Sequence, residues 1–286
     1  MRIAAKRRAE WMLEDQGFDD VRHSVDARGR HQDVVCLGRG EPIVLVPGLA
    51  GSWNLLAPLA KRLAKRYRVI MPSLRGDRGV LGCNPARDIS DLADDLAVTL
   101  DGLGLERPTL MGVSFGGAVA LEYATANPNR VGGLALWGTE ARFRPTIGTT
   151  IARRVLERFP LPSDNPFLNQ FFNLLHGGRP TPGPLVDFIV ERCWRTDQSV
   201  VAHRLAMLEG FDVSDRLWRI DAPTIVMAGS RDVVIPPSRQ RALAESISGA
   251  SFTQVEGAGH VGFLTHRAEV VEQVATLVQK VRTSYC

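Results

Sequence analysis

Gly112-Val113-Ser114-Phe115-Gly116-Gly117 joins an apolar run, Pro108 to Met111, to a helix-like run, Ala118 to Asn127. A Gly-x-Ser-x-Gly between a strand and a helix is the pattern of a nucleophile elbow. The turn is too tight for side chains at its edges, so Gly112 and Gly116 flank the serine. Without Cβ atoms they allow close approach and strained dihedrals. Such a turn holds the Ser114 hydroxyl out beyond the strand, with the next backbone N–H facing the same space.

The runs around the elbow set the fold class. Val21 to Val25 and His31 to Leu37 alternate loosely around Ala27-Arg28-Gly29-Arg30, as a β-hairpin does. Ile43 to Val46 and Gly132 to Trp137 are continuous apolar runs that suit buried strands, and Arg68 to Met71 is a short strand closed by Pro72. Trp53 to Lys65 carries apolar residues at helical spacing. Asp88 to Leu103 reads as a helix capped by Asp88 and Ser90, with Leu92, Leu96 and Leu100 repeating at four. Alternation stops after Thr139, where seven prolines from Pro145 to Pro184 punctuate an aromatic-rich stretch that reads as short helices. It resumes with the strand Thr224 to Ala228, a helix from Ser238 to Ile247, the strand Ser251 to Val255 and a last helix from His266 to Val281. Buried strands alternating with helices imply an α/β fold with a mostly parallel sheet flanked by helices, interrupted by an inserted helical cap. The segments divide as 1–40, an N-terminal helix and hairpin joining the core; 41–139, the first part of the core; 140–215, the cap; and 216–286, the second part of the core. Ligands bind such sheets beyond the strands' carboxyl ends, and the insertion follows one of those ends, where it would roof a site.

Composition narrows the partners. The chain has 286 residues, 44% of them hydrophobic and 23% charged, enough for one large core of ordinary soluble type. Its formal charge of +4 is scattered, with no basic stripe interleaved with aromatics of the kind that marks a nucleic-acid binder. Cys36, Cys83, Cys193 and Cys286 form no CxxC pair and are too sparse for a disulfide framework. Met1 to Gln16 is amphipathic and carries acids, unlike a signal or transit peptide. No apolar run reaches membrane-spanning length. These features predict a reduced, cytoplasmic protein without a membrane span. Nothing implies a cofactor: no phosphate loop or dinucleotide fingerprint is present, and His23, His31, His176 and His203 show no metal-ligand spacing. The sequence leaves the oligomeric state open.

A serine needs a base, and for this architecture the expected order is serine, acid, histidine. Asp232 in Ala228-Gly229-Ser230-Arg231-Asp232 and His260 in Gly257-Ala258-Gly259-His260 follow the next strands in that order. Glu140, just past Trp137, is the alternative acid. Asp77 reads as a surface-loop residue, and His266 as a helix cap.

With these residues in place the chain resembles the α/β-hydrolases of the esterase, lactonase and carbon–carbon hydrolase group, over roughly residues 40 to 282. The resemblance implies Ser114 as nucleophile, His260 as general base and Asp232 as the residue orienting it. Val46-Pro47-Gly48-Leu49-Ala50-Gly51 resembles the family's oxyanion loop, so the N–H groups of Leu49 and Phe115 would hold the oxyanion. Leu74-Arg75-Gly76-Asp77-Arg78-Gly79 resembles the loop after the following strand. Two departures stand out. The family usually has histidine at Pro47, and carbon–carbon hydrolases tend to have asparagine and tryptophan where Val113 and Val261 stand. The expected activity is therefore cofactor-free hydrolysis of a small or medium carboxylic ester, lactone or thioester. The alternatives are carbon–carbon hydrolysis, acyl transfer or perhydrolysis with the same residues, or ligand binding with little turnover. Between Ala141 and Pro180 six arginines face two acids, Glu157 and Asp164. That excess either lies on a solvated face or admits an anionic acyl group.

Overall fold

The computed structural model describes residues 22–27, 30–77, 85–159, 161, 173–178 and 183–284. The expected N-terminal helix lies outside them. Eight strands form one sheet in the order β1-β2-β4-β3-β5-β6-β7-β8. They are β1 (Arg22–Ala27), β2 (Arg30–Leu37), β3 (Pro42–Val46), β4 (Arg68–Pro72), β5 (Thr109–Val113), β6 (Gly133–Trp137), β7 (Thr224–Gly229) and β8 (Ser251–Val255). β1 pairs antiparallel with β2, and β2 with β4, while every pair from β4 across to β8 is parallel. The hairpin expected around residues 27–30 is thus the antiparallel margin of a parallel sheet.

Period-two alternation within the buried strands divides the core into two layers. Val44, Val46, Ile70, Leu110, Leu134, Leu136 and Val226 pack on one face, with α2 (Ile89–Gly102) and α3 (Phe115–Ala126). Ile43, Leu45, Val69, Met71, Met111, Trp137 and Met227 pack on the other, with α1 (Ser52–Leu63) and the C-terminal helix Arg267–Ser284. Both faces are covered, which is why these strands read as unbroken apolar runs. Fully burying one such Leu or Ile side chain is worth about 1.5–3 kcal/mol.

Local signals explain the helix starts. Asp88 caps α2, accepting the Asp91 N–H at 3.1 Å, while the Ser90 hydroxyl donates to the Asp88 carboxylate rather than capping the helix itself. Between β6 and β7 run α4 (Ile147–Arg158), α5 (Pro184–Cys193) and α6 (Gln198–Glu209). Thr146 and Thr149 form a capping box on α4, and Pro184 occupies the first turn of α5, where a missing N–H costs nothing. The two ends of this helical insertion meet: Phe143 N–H donates to Phe211 O at 3.2 Å and Val213 N–H to Ala141 O at 2.9 Å. The chain then completes α7 (Pro237–Glu245), β8, α8 (Gly262–Thr265) and α9 (Arg267–Ser284).

The strand order places the site. From β3 the chain passes through α1 to β4 on one side, then returns through α2 to β5 on the other side of β3. The loops leaving β3 and β5 therefore diverge at a switch point, which opens a crevice at the carboxyl ends of the strands.

Candidate active site

At the end of β5 the backbone turns at once into α3. Ser114 sits in the turn at φ 53° and ψ −118°, a conformation that non-glycine residues rarely adopt. A Cβ on Gly116 would lie 2.2 Å from Val46 O and 2.4 Å from Pro47 O, so only glycine lets α3 start against the loop after β3. Ser114 N–H is anchored to Trp137 O at 2.8 Å, and the residue is only partly buried, so its hydroxyl can be reached. Phe115 is the first residue of α3, where a helix leaves its N–H groups without an intrahelical acceptor.

A connected chain of hydrogen bonds leads from Ser114 inward. Ser114 Oγ lies 2.9 Å from His260 Nε2, and His260 Nδ1 lies 2.9 Å from Asp232 Oδ2. A carboxylate only accepts, so Nδ1 carries the proton and Nε2 is left as the acceptor of the Ser114 hydroxyl. His260 is 6% exposed and Asp232 3%. Asp232 accepts three further bonds: Oδ1 takes the N–H groups of Val234 and Ile235, both at 2.9 Å, and Oδ2 takes Gln240 Nε2 at 3.2 Å. The carboxylate is held on both oxygens, so its direction toward His260 is set before any substrate arrives.

Three supporting residues were not singled out from the sequence. Gln240, wholly buried on α7, donates also to Ile235 O at 2.7 Å and accepts Gly138 N–H at 2.9 Å. The Trp137 indole N–H donates to His260 O at 2.7 Å, which fixes the backbone of the histidine loop. Gly138 has φ +63°, and a Cβ there would lie 2.8 Å from His260 Cε1. A neutral glutamine eight residues past Asp232 looks like any helix residue until the helix is docked. The only legible clue was a glycine directly after a buried strand.

Glu140 goes elsewhere. Its carboxylate faces Arg239 Nη1 at 3.3 Å, while Asp232 occupies the position beside His260. Burial raises the Glu140 carboxyl above its ordinary value, against the opposing pull of Arg239 and Arg144. A carboxyl held high in the folded state subtracts stability as pH rises from the unfolded value through the folded one. At neutral pH, Glu140→Gln is therefore expected to hold or raise the melting temperature. Ester turnover is expected to stay within about twofold, as for a group outside the reacting set; parallel thermal melts and ester assays check both.

Asp77 corrects the surface-loop expectation. It is 6% exposed and pairs with Arg204 of α6 at 2.9 Å. Burial of the pair under the insertion is a tertiary event that a Gly- and Arg-rich loop does not announce. His266 joins α8 to α9 and hydrogen-bonds Thr265 at 2.8 Å, away from Ser114. His203 Nε2 lies 2.6 Å from Ala86 O, which satisfies it locally. His23 and His31 carry no described side chains. Of the six arginines between Ala141 and Pro180, Arg142 pairs with Asp212 at 3.1 Å and Arg153 with Glu209 at 2.9 Å and with Glu157. Arg144, Arg154 and Arg158 are exposed, and Arg179 lies outside the described residues. This arrangement matches a solvated face better than an anion pocket. A hollow lined by Leu156 to Phe159 and Asp197 to Ser199 contains none of the three site residues.

Among the described residues no cluster of three or more His, Cys, Asp or Glu is placed to hold a metal. Cys36 and Cys193 are free thiols, and no described helix is long and apolar enough to cross a membrane.

Comparison with known proteins agrees with this architecture. Residues 43–273 match the profile described as "Alpha/beta hydrolase family". The chain is 30% identical to "Putative carbamate hydrolase RutD" of Rhizobium rhizogenes, over 80% of this chain and 87% of that protein. It is 28% identical to the pimeloyl-[acyl-carrier protein] methyl ester esterase of Chromobacterium violaceum, over 85% of this chain and 96% of that protein. Among solved structures it is similar to a thermophilic esterase from Thermogutta terrifontis, with TM-score 0.77 and 25% identity, covering 91% and 98% of the two chains.

Proposed function

Because this chain belongs to the alpha/beta hydrolase family, we propose that it is a serine hydrolase cleaving a small or medium carboxylic ester, lactone or thioester through an acyl-enzyme. The observation that carries this is the unbroken chain from Ser114 Oγ through His260 to Asp232, with 2.9 Å at each link. Relatives named as esterase and carbamate hydrolase support hydrolysis at a carbonyl carbon.

The mechanism follows from the atoms. Ser114 Oγ attacks the substrate carbonyl as its proton passes to His260 Nε2. Asp232, holding Nδ1–H, stabilises the imidazolium that forms. The N–H groups of Leu49, in the loop after β3, and Phe115, at the start of α3, face the developing oxyanion. Preorganised donors of this kind lower the barrier most where water is excluded. The tetrahedral intermediate collapses, and the leaving oxygen, sulfur or nitrogen takes the proton from His260. Water, deprotonated by the same imidazole, then attacks the acyl carbonyl and frees Ser114. No step calls for a metal or an organic cofactor.

Val113 and Val261 stand where carbon–carbon hydrolases tend to carry asparagine and tryptophan, which favours an acyl substrate over a carbon–carbon bond. With Arg142 and Arg153 already paired to acids, the reading favours a neutral acyl chain. A carbamate is the second reading, motivated by the name of the 30% identical relative. It needs the same attack but expels an amine.

Rapid mixing with p-nitrophenyl butyrate is expected to release a burst of about one p-nitrophenol per enzyme when deacylation is slow. Fluorophosphonate is expected to modify Ser114, as read by peptide mass. An enzyme that neither turns over the ester nor reacts with fluorophosphonate is a binding protein on this fold.

A further inference from the structure

Arg204 lies on α6 in the insertion and has no solvent exposure. A buried guanidinium is unfavourable unless its donors are met; here both terminal nitrogens are met, while Nε has no hydrogen-bond partner among the described residues. Nη1 donates to Leu49 O at 3.0 Å; Nη2 donates to Arg75 O at 3.2 Å and to Asp77 Oδ1 at 2.9 Å. Its Cζ lies 5.7 Å from the centre of the Phe115 ring. Asp77 is fixed in turn by Leu74 N–H, which donates to its other oxygen at 3.0 Å. Just before α6, the buried Thr196 hydroxyl accepts Gly51 N–H at 2.9 Å.

Both contacts grip the same loop. Residues 47–51, between β3 and α1, belong to no helix or strand. The loop is held at Leu49 C=O and at Gly51 N–H, in each case by a side chain of the insertion. Pro47 has no side-chain donor or acceptor with which to brace it, although the family pattern usually places a histidine there.

We infer that Arg204, assisted by Thr196, is a positioning residue for the oxyanion donor at Leu49, so that the insertion rather than the loop's own sequence sets the direction of that N–H. The inference rests on the acyl-enzyme reading above. Arginine suits the task because its planar fork reaches two carbonyls and a carboxylate together. Lysine keeps the charge opposite Asp77 but offers one compact ammonium on a flexible stem.

Thr196→Val and Arg204→Lys test this with a p-nitrophenyl ester and a trifluoromethyl ketone of the same acyl chain. The ketone adds to Ser114 and puts an alkoxide where the oxyanion forms. Removing an oxyanion donor outright costs about 10²–10³ in rate; displacing one is expected to cost about tenfold or more. Each variant is expected to lose kcat with KM nearly unchanged and to weaken ketone inhibition by the same factor as kcat/KM, since both report binding of the charged tetrahedral state. If Arg204→Lys does not fold, Thr196→Val, a change of nearly constant volume, carries the test. Variants that keep kcat/KM, lose it only through KM, or lose it without weakening ketone inhibition overturn the inference while the enzyme's reaction with fluorophosphonate stands. A wild-type protein inert to fluorophosphonate overturns the acyl-enzyme reading, and this inference with it.

Discussion

Ser114→Ala is expected to abolish fluorophosphonate labelling and to lower ester turnover by at least about 10⁴-fold, because no other group in the site can form the acyl bond. Alanine also carries a Cβ, so it inherits the same strained turn at φ 53° and neither adds nor relieves backbone strain. The melting temperature is therefore expected to stay close to that of the wild type. The change leaves His260 with its Asp232 bond and with nothing to deprotonate, and leaves the candidate oxyanion donors untouched. Some residual rate over the uncatalysed reaction is expected from those donors alone. Retained labelling in the variant, located by peptide mass on another residue, would move the nucleophile away from the elbow.

Asp232→Asn is expected to cost on the order of 10⁴ in kcat while leaving substrate binding nearly intact. The geometry explains why an almost isosteric change is so harmful. Val234 and Ile235 donate two N–H groups to Oδ1, so the asparagine carbonyl is drawn to that side. Its NH₂ then faces His260 Nδ1 and the Gln240 donor. Nδ1 must become an acceptor, which puts the proton on Nε2. The imidazole then donates toward Ser114 instead of accepting its proton. Set beside a nearly silent Glu140→Gln, this result assigns the acid to the loop after β7. The reverse pattern would assign it to the segment after β6.

The sheet was legible because its physics is local. A strand buried on both faces must be apolar throughout, so Ile43 to Val46 and Gly132 to Trp137 announced themselves, and α2 between them carried its own cap in Asp88. Small shifts remained at the ends: the last helix starts at Arg267 rather than His266, and Ser90 donates to the cap residue instead of acting as one. The elbow was legible for a related reason. Only glycine tolerates what stands at position 116, with two carbonyl oxygens where a Cβ would be, so steric necessity is written into the residue type.

Other features depend on distances that no local pattern encodes. Asp232 and Glu140 both follow buried strands and carry the same group, so the sequence alone left both open. What separates them is that Gly138 turns the chain over His260 and sends Glu140 to Arg239, while two backbone N–H groups aim Asp232 at the ring. Asp77 looked solvated because its loop is rich in glycine and charge. It is buried because α6, more than a hundred residues later, lowers Arg204 onto it. By itself, then, the sequence determined the parallel sheet, the strained serine turn and the order of serine, acid and histidine, since each follows from burial, sterics or strand succession within a few residues. Which carboxylate meets the histidine, and which part of the chain braces the loop at Leu49, was decided only by tertiary packing, because buried charges and hydrogen-bond donors take the partner that docking brings within about 3 Å.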